Sequence, residues 1–526
     1  MAVLLILALS APATAAPTLA HLFPAGGKRG TTVSVTAAGT FPSWPVGVWA
    51  SDKGLTVAAG KQKGELTVTI AARVAPGVHW LRAHDKDGGG NLRPFLVGTL
   101  PEVAEKEPND EPARAQPLKG PGVVVNGRLQ KRGDVDCFAV EAKKGQTLVA
   151  SLDANRTLKS PMDAILQVVS VSGGVLEQNH DFHGLDPQVT YSVPKNGTYI
   201  VRVFAFPELP DGTIGFAGAA DYVYRLTITT GGFADFALPL AVSKANPGKV
   251  RLIGWNLPES ARAVAVPKGG DSATIAMSEV ANTVRVRLEP HANYDDTTPG
   301  AKLPQPLAVP FTLTGRLAQR EGVAAYRFTG KKGRPVTFEV EAHALGLPLV
   351  PVLRVLDPAR KQLARAEPAT PQSDVALSFA PPADGTYLVE VRDLYDEGSP
   401  RHLFRLRAVH PEPDFALTVA ADRFALMPGK TLDIPVSVAR LAGFAGEIEL
   451  SAEGLPAGVK AVADAKGTTL RFTAVKEAAG AFRIVGRSKK LPALVRTAVA
   501  TPKEFGATVD LWVTVSVPPA KSGGKK

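Results

Sequence analysis

Short runs of alternating apolar and polar residues recur along this chain, and they constrain its fold more than any other feature. Thr32-Val33-Ser34-Val35, Leu66-Thr67-Val68-Thr69-Ile70, Tyr199-Ile200-Val201-Arg202-Val203, Thr337-Phe338-Glu339-Val340 and Asp510-Leu511-Trp512-Val513-Thr514-Val515 all send every second side chain to one face. That is the period of a half-buried strand, and no long segment carries a clean helical period. The 526 residues include 50 glycines and 44 prolines, well above the roughly one residue in eight usual for globular chains. Both are spread over the whole length, as expected where many short strands are joined by tight turns. A chain this long outgrows a single hydrophobic core, so about three to five domains are expected.

An internal repeat divides the chain. Gly127-Arg128-Leu129 returns as Gly315-Arg316-Leu317, Lys143-Lys144-Gly145 as Lys331-Lys332-Gly333, and Gly197-Thr198-Tyr199 as Gly385-Thr386-Tyr387, each time 188 residues on. Three separate matches at one offset mark two copies of one module, which should share one fold with the landmark glycines at common turns. A second echo, Asp235-Phe236-Ala237-Leu238 and Asp414-Phe415-Ala416-Leu417, follows each copy. Each repeat therefore leads into a module of another kind. The expected layout is an export signal over 1–16 and β-sandwich modules over 17–98, 99–230, 231–308, 309–411 and 412–518. A basic tail, 519–526, carries Lys521, Lys525 and Lys526. The fold class is all-β, a multi-domain string of β-sandwiches.

The signal reading rests on the apolar run Met1 to Leu9 and the small residues Ala13-Thr14-Ala15, with cleavage expected after Ala15 or Ala16. No Lys or Arg precedes Lys28, and the alternative for this stretch is a buried N-terminal strand. No later stretch is long and apolar enough for a membrane span. The single cysteine, Cys137, excludes an internal disulfide framework. Net charge is +11, scattered and without basic runs that alternate with aromatic residues. Nucleic-acid binding is therefore a poor reading, and weak attraction to an anionic surface polymer a reasonable one.

The first repeat resembles the bacterial pre-peptidase C-terminal domain. The residues that carry the resemblance are Glu105-Lys106-Glu107-Pro108-Asn109-Asp110, then Gly127 and Gly133-Asp134-Val135-Asp136-Cys137-Phe138, then Lys144-Gly145-Gln146, Asp163 and Gly197-Thr198-Tyr199. The second repeat keeps Gly315, Gly333 and Gly385-Thr386-Tyr387 but lacks the acidic motif and the aspartate pair, and is read as a degenerate, jelly-roll-like copy. The flanking modules look immunoglobulin-like, residues 17–98 being similar to the transcription-factor type. The resemblance implies a non-catalytic appendage of secreted proteases and other exported proteins, of which some relatives bind calcium. The collagen-binding modules of secreted collagenases are similar.

The acidic motif is the strongest chemical candidate. Glu105, Glu107 and Asn109 at period two turn their oxygens to one side of an extended segment. Asp110 adds a carboxylate, and Asp134 and Asp136 repeat the arrangement on a second segment. Calcium takes six to eight hard oxygen ligands, and these two segments supply most of them. The calcium-binding relatives point to the same positions. The alternative is a solvated acidic linker. His180 and His183 flank Asp181-Phe182 but lack an evident third zinc ligand, and a polar loop is the better reading. Cys137 follows Asp136 in a strand pattern and is read as a small buried residue, since nearby acids raise a thiol's pKa. Trp44, Trp49 and Trp80 are read as core, with an exposed sugar-stacking platform as the alternative. No metalloprotease, serine-hydrolase, phosphate-loop or dinucleotide motif occurs.

The expectation is a secreted, periplasmic or surface-held protein without catalytic residues, binding an extracellular protein or polysaccharide, with a calcium-stabilised first repeat. Two alternatives stay open. One is an accessory chain to a secreted protease, or an unrecognised hydrolase. The other is a carbohydrate-binding protein.

Overall fold

The computed structural model describes residues 16–517 apart from 210, 211, 213, 214, 299, 301, 302 and 504. Most of the export-signal region and the basic tail lie outside the described residues. The chain is built of strands, and no helical segment among the described residues exceeds four residues. It forms five two-layered β modules in chain order, each with its own apolar interior, as the alternating patterns require.

The two repeats have one strand order. In the first, one sheet runs Gln116–Pro117, Asp136–Ala142, Gly197–Pro207, Met162–Val169, Val175–Asn179. The facing sheet runs Gln188–Ser192, Thr147–Asp153, Val223–Thr229, Gly122–Arg128, Glu102–Ala104. In the second, Ala324–Gly330, Gly385–Asp393, Pro351–Leu356 and Gln362–Ala366 face Val375–Phe379, Val336–Glu341, Leu403–Val409, Phe311–Arg316 and Ala292–Asp295. Hydrogen bonds repeat at the sequence offset as well. Tyr199 Oη donates to Lys195 O as Tyr387 Oη does to Ala383 O. Asp186 accepts from the amides of Ala154, Asn155 and Arg156 as Asp374 does from those of Ala342, His343 and Ala344.

Two sequence expectations need correction. The second repeat does not begin at 309. Ala292–Asp295 pairs in parallel with Phe311–Arg316, just as Glu102–Ala104 pairs in parallel with Val124–Asn126, and Leu307 bridges to Phe328. The middle module is correspondingly shorter than 231–308. The landmark glycines also do not all mark turns. Gly145 and Gly333 do, at φ +85° and +68°, but Gly127 and Gly315 lie within strands. A Cβ there would fall 2.1 Å from the Tyr224 ring and 2.3 Å from the Phe404 ring. These glycines make room for an aromatic ring laid across the strand.

The modules also pack on one another. Phe236, Leu238 and Leu240 of the middle module enter the core of the second repeat, and Arg401 joins Asp235 while lying 3.8 Å over the Phe182 ring of the first repeat. Arg128 covers Phe23 of the first module. The last module returns to the first. Strand Leu511–Val515 is buried on both faces, with Leu511, Val513 and Val515 toward its own core. Trp512 instead packs against His84, at 4.8 Å between ring centres, and against Gly89, where a Cβ would meet the indole at 2.3 Å.

Candidate metal centre

The acidic segment crosses one end of the first repeat from one sheet to the other. It leaves the strand Glu102–Ala104 with Glu105 N donating to Asn126 O at 3.0 Å. It reaches the opposite sheet where Cys137 N donates to Asn109 O at 3.0 Å. Between these anchors, Glu107 Oε2 accepts from Asn109 N at 3.0 Å. Asp134 and Asp136 lie at the start of strand Asp136–Ala142, after the left-handed turn at Gly133. The two acidic segments therefore meet at one end of the module.

Burial sets the electrostatics. Asn109, Asp134 and Asp136 are at most 1% exposed. Desolvation pushes the Glu105 carboxyl up to about 7, helped by the Glu107 charge, although Arg128 N donates to it at 2.6 Å. Asp136 is held well above the ordinary carboxylate range by burial and then by Glu105, with Asp134 and Glu107 adding to it. Asp134 is raised by burial and the Asp110 charge, and Glu107 by burial and the charges of Asp134 and Asp110. All five carboxylates thus enter one mutually repelling group.

Hydrogen bonding only partly satisfies this group. Tyr224 Oη donates to Asp136 Oδ2 at 2.6 Å, a contact that the ring reaches because Gly127 lets it lie flat. Asp134 Oδ2 accepts from Gln130 N. Asp134 Oδ1, Asp136 Oδ1 and both side-chain polar atoms of Asn109 are buried without a partner. Unpaired buried oxygens on neighbouring carboxylates are costly, and either shared protons or a hard cation would relieve them. Among the described residues no group of three or more His, Cys, Asp or Glu side chains is placed to hold a metal ion.

The second repeat handles the same location differently. Asp296 N donates to Thr314 O as Glu105 N does to Asn126 O, so Asp296 stands where Glu105 does. Sequence reading missed it because it precedes 309; the available signal was an acidic residue a short way upstream of the landmark glycine. The aspartate pair is absent, with Gly322 and Ala324 in its place. Phe138 and Tyr224 of the first repeat are exchanged for Tyr326 and Phe404, and Tyr326 Oη donates to Asp296 Oδ2 at 3.0 Å. One carboxylate and one phenol therefore satisfy each other where the first repeat crowds several acids.

The other candidates are placed as structural groups. His180 is exposed beside Asp181, whereas His183 is half-buried where the two repeats meet, pushed down to about 3 by desolvation and by Arg156 and Arg401. The two do not converge. Cys137 is fully buried with Val169 and Ile200, and burial pushes its thiol up to about 12. Trp44 packs edge-on against Phe41 and donates to Gly60 O, and Trp80 meets Phe505 of the last module. Trp49 is half-buried.

Residues 134–205 match the family described as the bacterial pre-peptidase C-terminal domain. The match takes in Asp134 and Asp136 but not the acidic segment before them. A probable subtilase-type serine protease of Deinococcus radiodurans is 31% identical over 144 residues, 27% of this chain and 18% of that relative. The chain thus spans less than a fifth of its relative's length. Among solved structures, the Aeromonas hydrophila periplasmic inhibitor of g-type lysozyme is 13% identical, with 24% of this chain and 96% of that one covered at a TM-score of 0.17. The N-terminal four immunoglobulin domains of a Dscam1 isoform are 10% identical, with 95% and 99% covered at a TM-score of 0.19. At such scores these two likenesses support no functional statement. No helix among the described residues is long and apolar enough to cross a membrane.

Proposed function

We propose that this chain is a secreted, non-catalytic, multi-module protein that binds or scaffolds at the cell surface or outside the cell, with a first repeat stabilised by calcium. The observation that carries the calcium reading is the set of buried, unpartnered oxygens on Asn109, Asp134 and Asp136 beside the raised carboxyls of Glu105 and Glu107. The donors are all oxygens, with no thiol or imidazole among them, which suits a hard cation. Glu105, Glu107, Asn109, Asp110, Asp134 and Asp136 would hold it. The ion would neutralise charges that otherwise repel. Tyr224 orients Asp136, and the Cys137 amide holds the loop by Asn109 O. The flanking modules are taken as immunoglobulin-like spacers, and the second repeat as a metal-free copy of the same family.

The region shared with the subtilase-type relative supports the narrower reading of an accessory chain in a secreted proteolytic system. The test of the calcium reading is thermal melting of the full chain with calcium and with chelator, beside calorimetric titration of calcium. Wild type is expected to melt higher with calcium, by ordinary ligand linkage, and Asp134→Asn with Asp136→Asn to lose the response. An identical melt with and without calcium would sink this reading.

A further inference from the structure

The outward face of the second repeat's four-stranded sheet carries arginines that its fold does not require. Inward positions Phe328, Val389 and Leu353 are buried in the core, and their alternating neighbours Arg327, Glu390, Arg354 and Arg365 point away from it. Register sets Arg354 directly opposite Arg365 on one side and Glu390 on the other. Like charges directly opposite destabilise a sheet, and here the pair is held by Gln362 and Glu390 beside Arg354 and by Glu367 beside Arg365. Glu390, 1% exposed, lies beneath Arg354, Arg360 and Arg392 at 3.5, 3.6 and 3.8 Å. These are ion-pair distances, and both Glu390 Oε2 and Arg392 Nε lack a hydrogen-bond partner. One buried carboxylate therefore gathers three guanidiniums, of which Arg354 also donates to Gln362 Oε1 at 2.8 Å while Arg392 Nε is unpartnered. Glu367 pairs with Arg365, and positive charge remains in excess across the face.

The first repeat is an internal control for this surface. At the matching positions Ala139 stands for Arg327, Gln167 for Arg354, Gln178 for Arg365, Phe204 for Arg392 and Arg202 for Glu390. There Gln167 accepts from Arg202 and donates to Gln178, a row joined by hydrogen bonds with little net charge. The scaffold folds with either row, so the arginines answer to something other than folding.

We propose that this face docks a carboxylated, linear polysaccharide. The inference rests on the extracellular-binding reading and adds to it the surface and the ligand class. Guanidinium forks match planar carboxylates in two-point contacts. The strands set the rows about 4.8 Å apart, and the exposed Arg327 and Arg365 on the two edge strands suit a chain lying across them. No aromatic residue stands among the outward strand positions, so nucleic-acid bases would find no stacking platform.

The full chain, in calcium, is tested by biolayer interferometry against immobilised polygalacturonate, with dextran sulfate, long-chain polyphosphate, neutral dextran and a single-stranded oligonucleotide as competitors. One variant combines Arg327→Gln, Arg354→Gln and Arg392→Gln. A control removes the same number of charges from the last module, by Arg471→Gln, Arg483→Gln and Arg487→Gln, and circular dichroism melts check that both fold. Wild type is expected to bind polygalacturonate in a salt-sensitive way, the first variant about tenfold more weakly, and the control within about twofold of wild type. Absence of binding overturns the inference. So does equal loss in both variants, or stronger competition by sulfate, phosphate or oligonucleotide. Undiminished binding by the first variant would overturn this face while leaving the extracellular-binding reading in place.

Discussion

Arg82 in the first module and Asp422 in the last, 340 residues apart, meet at 2.8 Å with side chains only 1% and 6% exposed. Arg82 also donates to Gly90 O at 2.7 Å, so the pair is tied into the first module's own backbone. A buried ion pair is weak evidence of net stability, but removing one partner leaves an uncompensated charge. The pair joins the first module to the last.

Asp422→Ala is expected to destabilise the contact between the terminal modules by about 3–5 kcal/mol, because Arg82 stays buried without its carboxylate. Small-angle scattering should show a larger radius of gyration, and the melt should split into more than one transition. An unchanged radius with a single unshifted melt would show that the Trp512–His84 and Trp80–Phe505 contacts hold the closure without the ion pair.

Gly127→Ala is expected to cost about 1–3 kcal/mol or more by overpacking against the Tyr224 ring. It should also abolish the calcium response, since Asp136 loses its orienting phenol. Tyr224→Phe should cost about 1–3 kcal/mol, because it keeps the ring but leaves the buried Asp136 carboxyl without its phenol. Paired melts with and without calcium check both. A Gly127→Ala variant that keeps the wild-type calcium shift would show that the ring's position does not depend on the glycine.

Asp186 caps the turn at Ala154–Arg156, and burial, then the Asp153 charge, pushes it up to about 7. Its ordinary value is 3.8, so the folded state holds a proton that the unfolded chain releases between those values. Stability from this group is therefore full below about pH 3.8 and is lost as pH rises toward 7. Asp186→Asn should flatten that part of the stability profile in denaturant titrations across the window. The same slope in wild type and variant would mean that Asp186 is ionised throughout.

Much of the architecture was legible in the sequence. Period-two runs such as Leu66–Ile70 determine strands because alternate side chains must enter an apolar interior. The constant spacing of Gly127, Lys143 and Gly197 to their counterparts determined that one strand order occurs twice. The acidic runs at 105–110 and 134–136 identified the residues that meet at one end of the first repeat. What only the tertiary structure decided depends on neighbours distant in sequence. Ala292–Asp295 joins the second repeat through backbone hydrogen bonds, which leave no trace in residue type. Gly127 reads as a turn until Tyr224, on the adjacent strand, is seen to need its missing Cβ. The phenol of the first repeat changes strands in the second because Tyr224 and Tyr326 approach the same location from different sides. Trp512 points out of its own module's core and is buried only because the first module packs against it, a contact whose periodicity belongs to neither segment alone.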